Sequence, residues 1–286
     1  MPHTQSRGLS EVGLLSHAAD LRWCNFADAT GVDASAQRDA DSNRVYASIF
    51  FAEVAGFPDE GLAAYGPDDR LDVVSTLSRF GSTMLDGEHL LYPAGTLGKE
   101  LPRVLPPAPH VRLSNVFVHD AIGPDDLRVT SPVTGDQAAI PSTDAEPDSY
   151  RLIRRARERG RFFDAPADAT PLWDGAHSRV HAINADRDVN GVGLLYFVNY
   201  VAFTDAAERV ALEEAGRYAA EALDDRRTVR RRIGFYGNAN RHDMLRIDVE
   251  GHRLADPRVL LVHHRIRRES DDRLIAVSSV EKRLAR

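Results

Sequence analysis

The longest apolar segment of the chain spans residues 188–209, DVNGVGLLYFVNYVAFTDAAER, and its pattern predicts a buried helix. Asp188 and Asn190 are side chains of the helix-capping kind, and residues 192–203 are apolar nearly all round apart from Asn199. The segment falls short of the roughly 20 uninterrupted apolar residues that cross a bilayer, so protein must wrap its sides, and a sheet is the expected wrapper. A second helical period covers residues 8–31, with Ser10 in the N-cap place and Leu14, Leu15, Ala18, Leu21 and Phe26 at helical spacing.

β-rich stretches follow at 44–54, 71–79, 84–92 and 110–119, separated by Gly, Pro and Asp turns. Residues 123–149 shift to Pro, Asp, Ser and Thr and read as a loop or linker across the surface. Beyond it lie a basic helix candidate at 150–161 and a strand at 179–185 that leads directly into the organising helix. Strands are then expected at 228–236, 244–249, 259–266 and 273–284. Around Met244 the alternation of Leu245, Ile247 and Val249 against Arg246, Asp248 and Glu250 is that of a half-buried strand.

Helix followed by four strands therefore occurs twice. Val12-Gly13-Leu14-Leu15 recurs as Val192-Gly193-Leu194-Leu195, and Asp69-Arg70-Leu71 and Asp243-Met244-Leu245 open matching strands. The order predicts an α+β protein of tandem (double) hot-dog type, each half a long helix wrapped by an antiparallel sheet and the two sheets joined into one. Residues 1–122 form the first unit, 123–149 the linker and 150–286 the second unit.

Composition narrows the chemistry. With 286 residues and 43% hydrophobic content the chain can bury real cores. A single cysteine, Cys24, excludes an internal disulfide and a thiolate zinc cluster and fits a reducing cytosol. The first eleven residues lack a signal-type apolar core, so a cytoplasmic location is expected. The net charge of -7 argues against nucleic-acid affinity. Arginines cluster at 151–161, 226–232 and 265–268, as an ordinary solvated face or as a surface for phosphates and acidic partners. There is no HExxH, G-x-S-x-G, P-loop or complete G-x-G-x-x-G. His177 and His181 stand four apart in an extended segment, where that spacing makes no metal pair.

The entry to the organising stretch, with Asp188, Asn190, Gly191, Tyr196 and Glu208-Arg209, resembles the helix entry of hot-dog acyl-thioesterases. More specifically, GLSEVGLLSHAADLRW, RVYASIFFAEV, PDDRLDVVSTLSRFGSTMLDG, DVNGVGLLYFVNY and FYGNANRHDMLRI together resemble the double hot-dog family of the leinamycin-type bifunctional acyltransferase/decarboxylase. The resemblance implies an enzyme of polyketide-type biosynthesis that takes a methylmalonyl group from coenzyme A, releases carbon dioxide and passes the acyl group to an acyl carrier protein. It implies that Tyr46, on the strand after the first helix, is catalytic.

Such chemistry makes an enolate and needs donors aimed at the thioester oxygen. The amides near Asn190, Gly191 and Val192, or near Ser10 in the first repeat, are the candidates, with Tyr196 beside the acyl group and no metal or organic cofactor required. A phenol keeps its proton at neutral pH and needs a base to become a nucleophile, so Tyr46 reads equally as acyl acceptor or as donor. The expected partners are acyl-CoA and an acyl carrier protein, with neither nucleic acid nor membrane, and a duplicated chain fits a monomer or a homodimer alike. Two other readings share the fold: a thioesterase or dehydratase with Glu11 or Asp188 as its base, and a non-catalytic carrier-docking module.

Overall fold

The structure, a computed structural model, describes residues 4–5, 8–98, 101–102, 104–120, 127–191, 193–216, 218 and 220–284. The first long helix, α1 (Glu11–Thr30), starts where the sequence places it. Ser10 Oγ accepts the Gly13 N–H at 3.1 Å, and Gly31 in the left-handed region closes the other end by donating to Ala27 O. Strands β1 (Tyr46–Ala55), β2 (Leu71–Phe80), β3 (Met84–Pro93) and β4 (His110–Asp120) follow. The second half brings helix α2 (Asp148–Arg159), strand β5 (His177–Ala182), helix α3 (Asn199–Glu214) and strands β6 (Arg227–Phe235), β7 (Met244–Arg253), β8 (Val259–Arg268) and β9 (Leu274–Arg283).

All nine strands belong to one sheet in the order β5-β7-β8-β9-β6-β1-β4-β3-β2, each antiparallel to its neighbours. Read outward from the β6·β1 seam, each half places its first strand innermost, then its fourth, third and second. The same connectivity thus stands on both sides of a central antiparallel pair, as the double hot-dog fold requires. α1 and α3 lie on one face. Leu14, Leu15 and Ala18 of α1 pack with Val54, Leu91 and Leu113, whereas Tyr200, Phe203, Ala207 and Leu212 of α3 pack with Ile247, Leu260 and Val280. α2 covers the seam on the opposite face, its Ile153 against Phe50 and Phe51.

The organising helix is shorter than its apolar run. It begins at Asn199 rather than Asp188, because the two side chains expected to cap it close a tight loop instead. The buried Asp188 carboxylate accepts from the Asn184 N–H at 2.9 Å, Arg187 Nε at 2.7 Å and Asn199 Nδ2 at 3.4 Å. Asn190 Oδ1 accepts the Leu194 N–H at 3.0 Å, Val189 bridges Leu195, and Gly193 takes a φ of 82°. The strand expected at 179–185 likewise stops at Ala182 and gives way to a single turn, Ala185–Asp188. The Val-Gly-Leu-Leu identity marks no equivalent positions. Residues 12–15 lie in the first turn of α1, residues 193–195 lie in the loop, and Val192 is outside the described residues. The repeat resides in strand order, not in that tetrapeptide.

Nor do the described residues of the expected linker, 127–149, merely cross the surface. Ile140 is 2% exposed and packs with Phe26, Leu127–Val129 pairs with β4, and Ser142–Thr143 runs parallel to the end of β2 and covers that edge. No helix among the described residues is long and apolar enough to cross a membrane.

Candidate active site

The seam is short. β6 and β1 pair only from Arg231·Val54 to Gly234·Phe51. Beyond that point a bulge between Ile49 and Phe51 bends β1, while β6 stays with β9 and the Tyr236 N–H donates to Ile275 O. The sheet forks there, and the fork encloses a cavity of about 470 Å³. Its walls come from both halves: Ala19, Asp20, Arg22 and Trp23 of α1, residues 47–50 of β1, Asn190 and residues 194–197 of the loop, Tyr200 of α3, and residues 235–238 as they leave β6.

Two asparagines frame the loop side. Asn190 is fixed by its bond from Leu194, and Asn238 Oδ1 accepts the Leu195 N–H at 3.0 Å. That bond sets the Asn238 carboxamide so that Oδ1 is spent, while Nδ2 is buried with no acceptor among the described residues. A buried amide donor left unmatched costs the desolvation of the group. Tyr236 Oη donates to Ile153 O of α2 at 2.8 Å, and burial, partly offset by Arg157, pushes its phenol up. Burial also pushes up the Tyr200 phenol, which is 2% exposed, so both rings keep their protons.

The ionisable side chains lining the cavity, tyrosines aside, are Asp20, Arg22 and Arg273. No histidine and no glutamate lines it among the described residues. Asp188, one of the two carboxylates expected as a base, is fully enclosed. Burial would raise its carboxyl, but hydrogen bonds from Arg187, the Asn184 amide and His181 outweigh that and hold it below the usual carboxylate range. It is an anchor for the loop. Glu11 lies at the other end of the seam, bound by Arg231 at 2.6 Å.

Of the residues singled out from sequence, the fork brings Asn190 and Tyr196 together in one wall. Gly191 adjoins them, and a Cβ there would meet nothing within 4 Å, so no close approach requires a glycine. The Asn190 N–H, expected as an oxyanion donor, is already given to Leu194 O at 2.8 Å. Ser10 caps α1 and borders a separate hollow at the opposite end of the seam. Tyr46 lies one position past the wall on β1, two residues from Ser48, with the Arg44 guanidinium 5.4 Å from its ring centre.

Sequence reading missed Asn238 and Arg22. Asn238 follows a strand in a Gly-Asn pair and looks like a turn. Arg22 did leave a trace: Ala18, Arg22 and Phe26 are spaced by four, which puts a charge on the buried stripe of α1.

No protein-family model matches the sequence and no curated protein is similar to it. Solved structures nevertheless share the fold over almost the whole chain. A protein from Lactobacillus plantarum described as an oleoyl thioesterase superposes with a TM-score of 0.64 at 9% identity, covering 99% of this chain and 93% of its own. The 12:0-ACP thioesterase from Umbellularia californica gives 0.59 at 13% identity, covering 99% and 90%. An acyl-ACP thioesterase from Bacteroides thetaiotaomicron gives 0.56 at 11% identity, covering 98% and 93%. At such identities the likeness establishes the fold, a double hot-dog.

Proposed function

We propose that the protein is an enzyme that processes acyl thioesters in the forked seam, by decarboxylation and acyl transfer on a (methyl)malonyl thioester. The observation that carries this reading is the unmatched Nδ2 of Asn238 in the wall of a cavity lined from both halves. A thioester oxygen supplies the acceptor that the donor lacks, and the interaction strengthens as that oxygen becomes an enolate. When the bond from Cα to the carboxylate breaks, carbon dioxide leaves and the electron pair passes to the thioester oxygen. Cα then takes a proton from water or from the Tyr196 phenol. The thiol of a carrier phosphopantetheine attacks the carbonyl carbon, and coenzyme A departs with the thiol proton. The thioester carbonyl is itself the electron sink, so the proposal needs no cofactor.

Hydrolysis is the competing reading, and the names of the structural neighbours favour it. It needs a base to activate water, and the carboxylate that lines the cavity, Asp20, is exposed on α1. Decarboxylation needs donors rather than a base, which matches the wall better. A two-step transfer needs a hydroxyl to hold the acyl group, and Tyr46, next to the wall residue Ala47, is our candidate; direct transfer needs no such acceptor.

The carrier protein is assigned to the outer face. There α2 packs beside the fork with Arg157 5.8 Å from the Tyr236 ring centre, and Arg151, Arg154 and Arg155 are exposed beside Asp148, Glu146 and Asp164. Exposed arginines held only by surface ion pairs can exchange them for an acidic partner, in a contact that weakens with salt.

Incubation with methylmalonyl-CoA and a phosphopantetheinylated carrier tests the proposal by mass. Carbon dioxide and propionyl-carrier are expected. Free methylmalonic acid with coenzyme A would establish the hydrolytic reading instead, and an unchanged substrate would remove both.

A further inference from the structure

Arg22 is 1% exposed, yet among the described residues it makes no ion pair. Its side chain leaves α1 across Gly87 of β3, where a Cβ would meet Arg22 Cδ at 2.9 Å. One Nη donates to Asn115 Oδ1 on β4, Nε has no partner, and among the described residues no carboxylate lies within ion-pair distance. Asn115 Nδ2 is likewise buried and unmatched. The carboxylate whose charge does reach it, Asp86, is committed to Arg112 at 2.7 Å and to Ser114. Burial pushes the guanidinium down to about 10, with Asp86 offsetting only part of that. The nearby imidazole of His89, which exchanges a hydrogen bond with Ser75 at 2.8 Å, is kept neutral by burial and by Arg22 itself.

A buried cation without an anion is costly, and proteins retain one where a ligand supplies the missing charge. Arg22 forms part of the wall of the fork cavity. We propose that Arg22 reads a free carboxylate on the acyl group, so that the cavity selects dicarboxylic acyl thioesters over monocarboxylic ones. The guanidinium turns from Asn115 into the hollow and meets the carboxylate with paired N–H donors. This inference rests on the acyl-thioester reading of the same cavity and names its substrate class. A guanidinium that holds a carboxylate also stabilises it before it is lost, so the contribution of Arg22 falls on binding and not on the chemical step.

Calorimetric titration of the full chain with malonyl-CoA and with acetyl-CoA tests this. Wild type is expected to prefer malonyl-CoA by at least about tenfold, as a charge-assisted pair provides. In Arg22→Met the ratio falls to about one, and in turnover KM for malonyl-CoA rises while kcat holds or increases. Arg22→Lys keeps the charge without the fork and restores part of the preference. Equal affinities in wild type overturn the inference without any variant, so a failure of Arg22→Met to fold does not protect it. A preference that survives in a folded Arg22→Met also overturns it. The two readings separate cleanly. An Arg22-dependent preference with free dicarboxylic acid as product keeps this inference and removes decarboxylation. Carbon dioxide release with a preference indifferent to Arg22 does the reverse.

Discussion

The two ends of the seam are equivalent places in the fold and differ in how they treat charge. Each lies where the start of one long helix meets the flank of the other. At the far end from the fork, a hollow of about 340 Å³ adjoins Ser10, Glu11, Asp205, Arg226, Thr228 and Lys282. There Arg231, 1% exposed, reaches Glu11 at 2.6 Å, Thr204 at 3.0 Å and Asp205 at 2.6 Å. Lys282 binds Asp205 at 2.7 Å and Glu208 at 3.1 Å, and Arg226 stands 2.9 Å from Glu208. Glu11, Asp205 and Glu208 thus face Arg231, Lys282 and Arg226, and the charges cancel. At the fork Arg22 and Asn238 have been left unmatched. One end pairs its buried cations with carboxylates from both halves, and the other does not.

The sharpest way to break that comparison is to remove one cation from each end. Arg231→Met leaves the buried Glu11 without its cation and Asp205 with Lys282 alone, and should cost ~3–5 kcal/mol, read from urea unfolding. Arg22→Met removes a charge that makes no ion pair among the described residues and is only partly offset by Asp86, and should cost no more than ~1 kcal/mol in the same assay. Equal costs would show that the ends do not differ. Next in size is Asn238→Ala, for which kcat/KM on the thioester substrate should drop by ~10²-fold or more. Its stability should fall by only ~1 kcal/mol, for the acceptor lost by Leu195 N–H.

A smaller effect sits on His89. Burial first, then the charges of Arg22 and His17, lower its pKa from 6.5 to about 4. A histidine depressed in the folded state takes up its proton more readily when unfolded. The stability it leaves intact above pH 6.5 is therefore lost as pH falls through the window from 6.5 to about 4. In His89→Gln the slope of unfolding free energy against pH should be shallower by ~1.4 kcal/mol per pH unit there. Identical slopes would place the proton uptake elsewhere, at the more deeply depressed His263 and His264. The smallest change is expected from Tyr46→Phe. With its ring past the cavity wall, kcat/KM for decarboxylation should stay within about threefold of wild type. A collapse of carrier acylation alone would identify Tyr46 as the acyl acceptor of a two-step transfer.

Much of this architecture was legible because strands and turns write themselves locally. The eight long strands of the two repeats fall within a few residues of their alternating patterns, and Ser10 does cap α1. The loop at 188–198 was misread for a physical reason. Apolar content reports burial, not helicity, and Asp188 and Asn190 bond backbone amides as readily in a tight loop as at a helix start. The fork was invisible for another reason: it arises where pairing between distant strands ends, and no local pattern records the register of β6 on β1. Asn190 and Tyr196 could be grouped from sequence because they lie on the same stretch; Asn238 and Arg22 come from the rest of the chain and join them in the cavity wall only in three dimensions.

One further consequence follows from Gly87. That residue has no side chain and lies on a strand that does not line the cavity, yet the stem of Arg22 rests in the space it leaves, with Leu77 closing the other side 3.1 Å from where a methyl would stand. A single added carbon at that remote spot would therefore lift the cation and shift its reach, while every residue around the hollow kept its identity. Substitution at a position outside the cavity wall thus reaches the Arg22 guanidinium as surely as one within it.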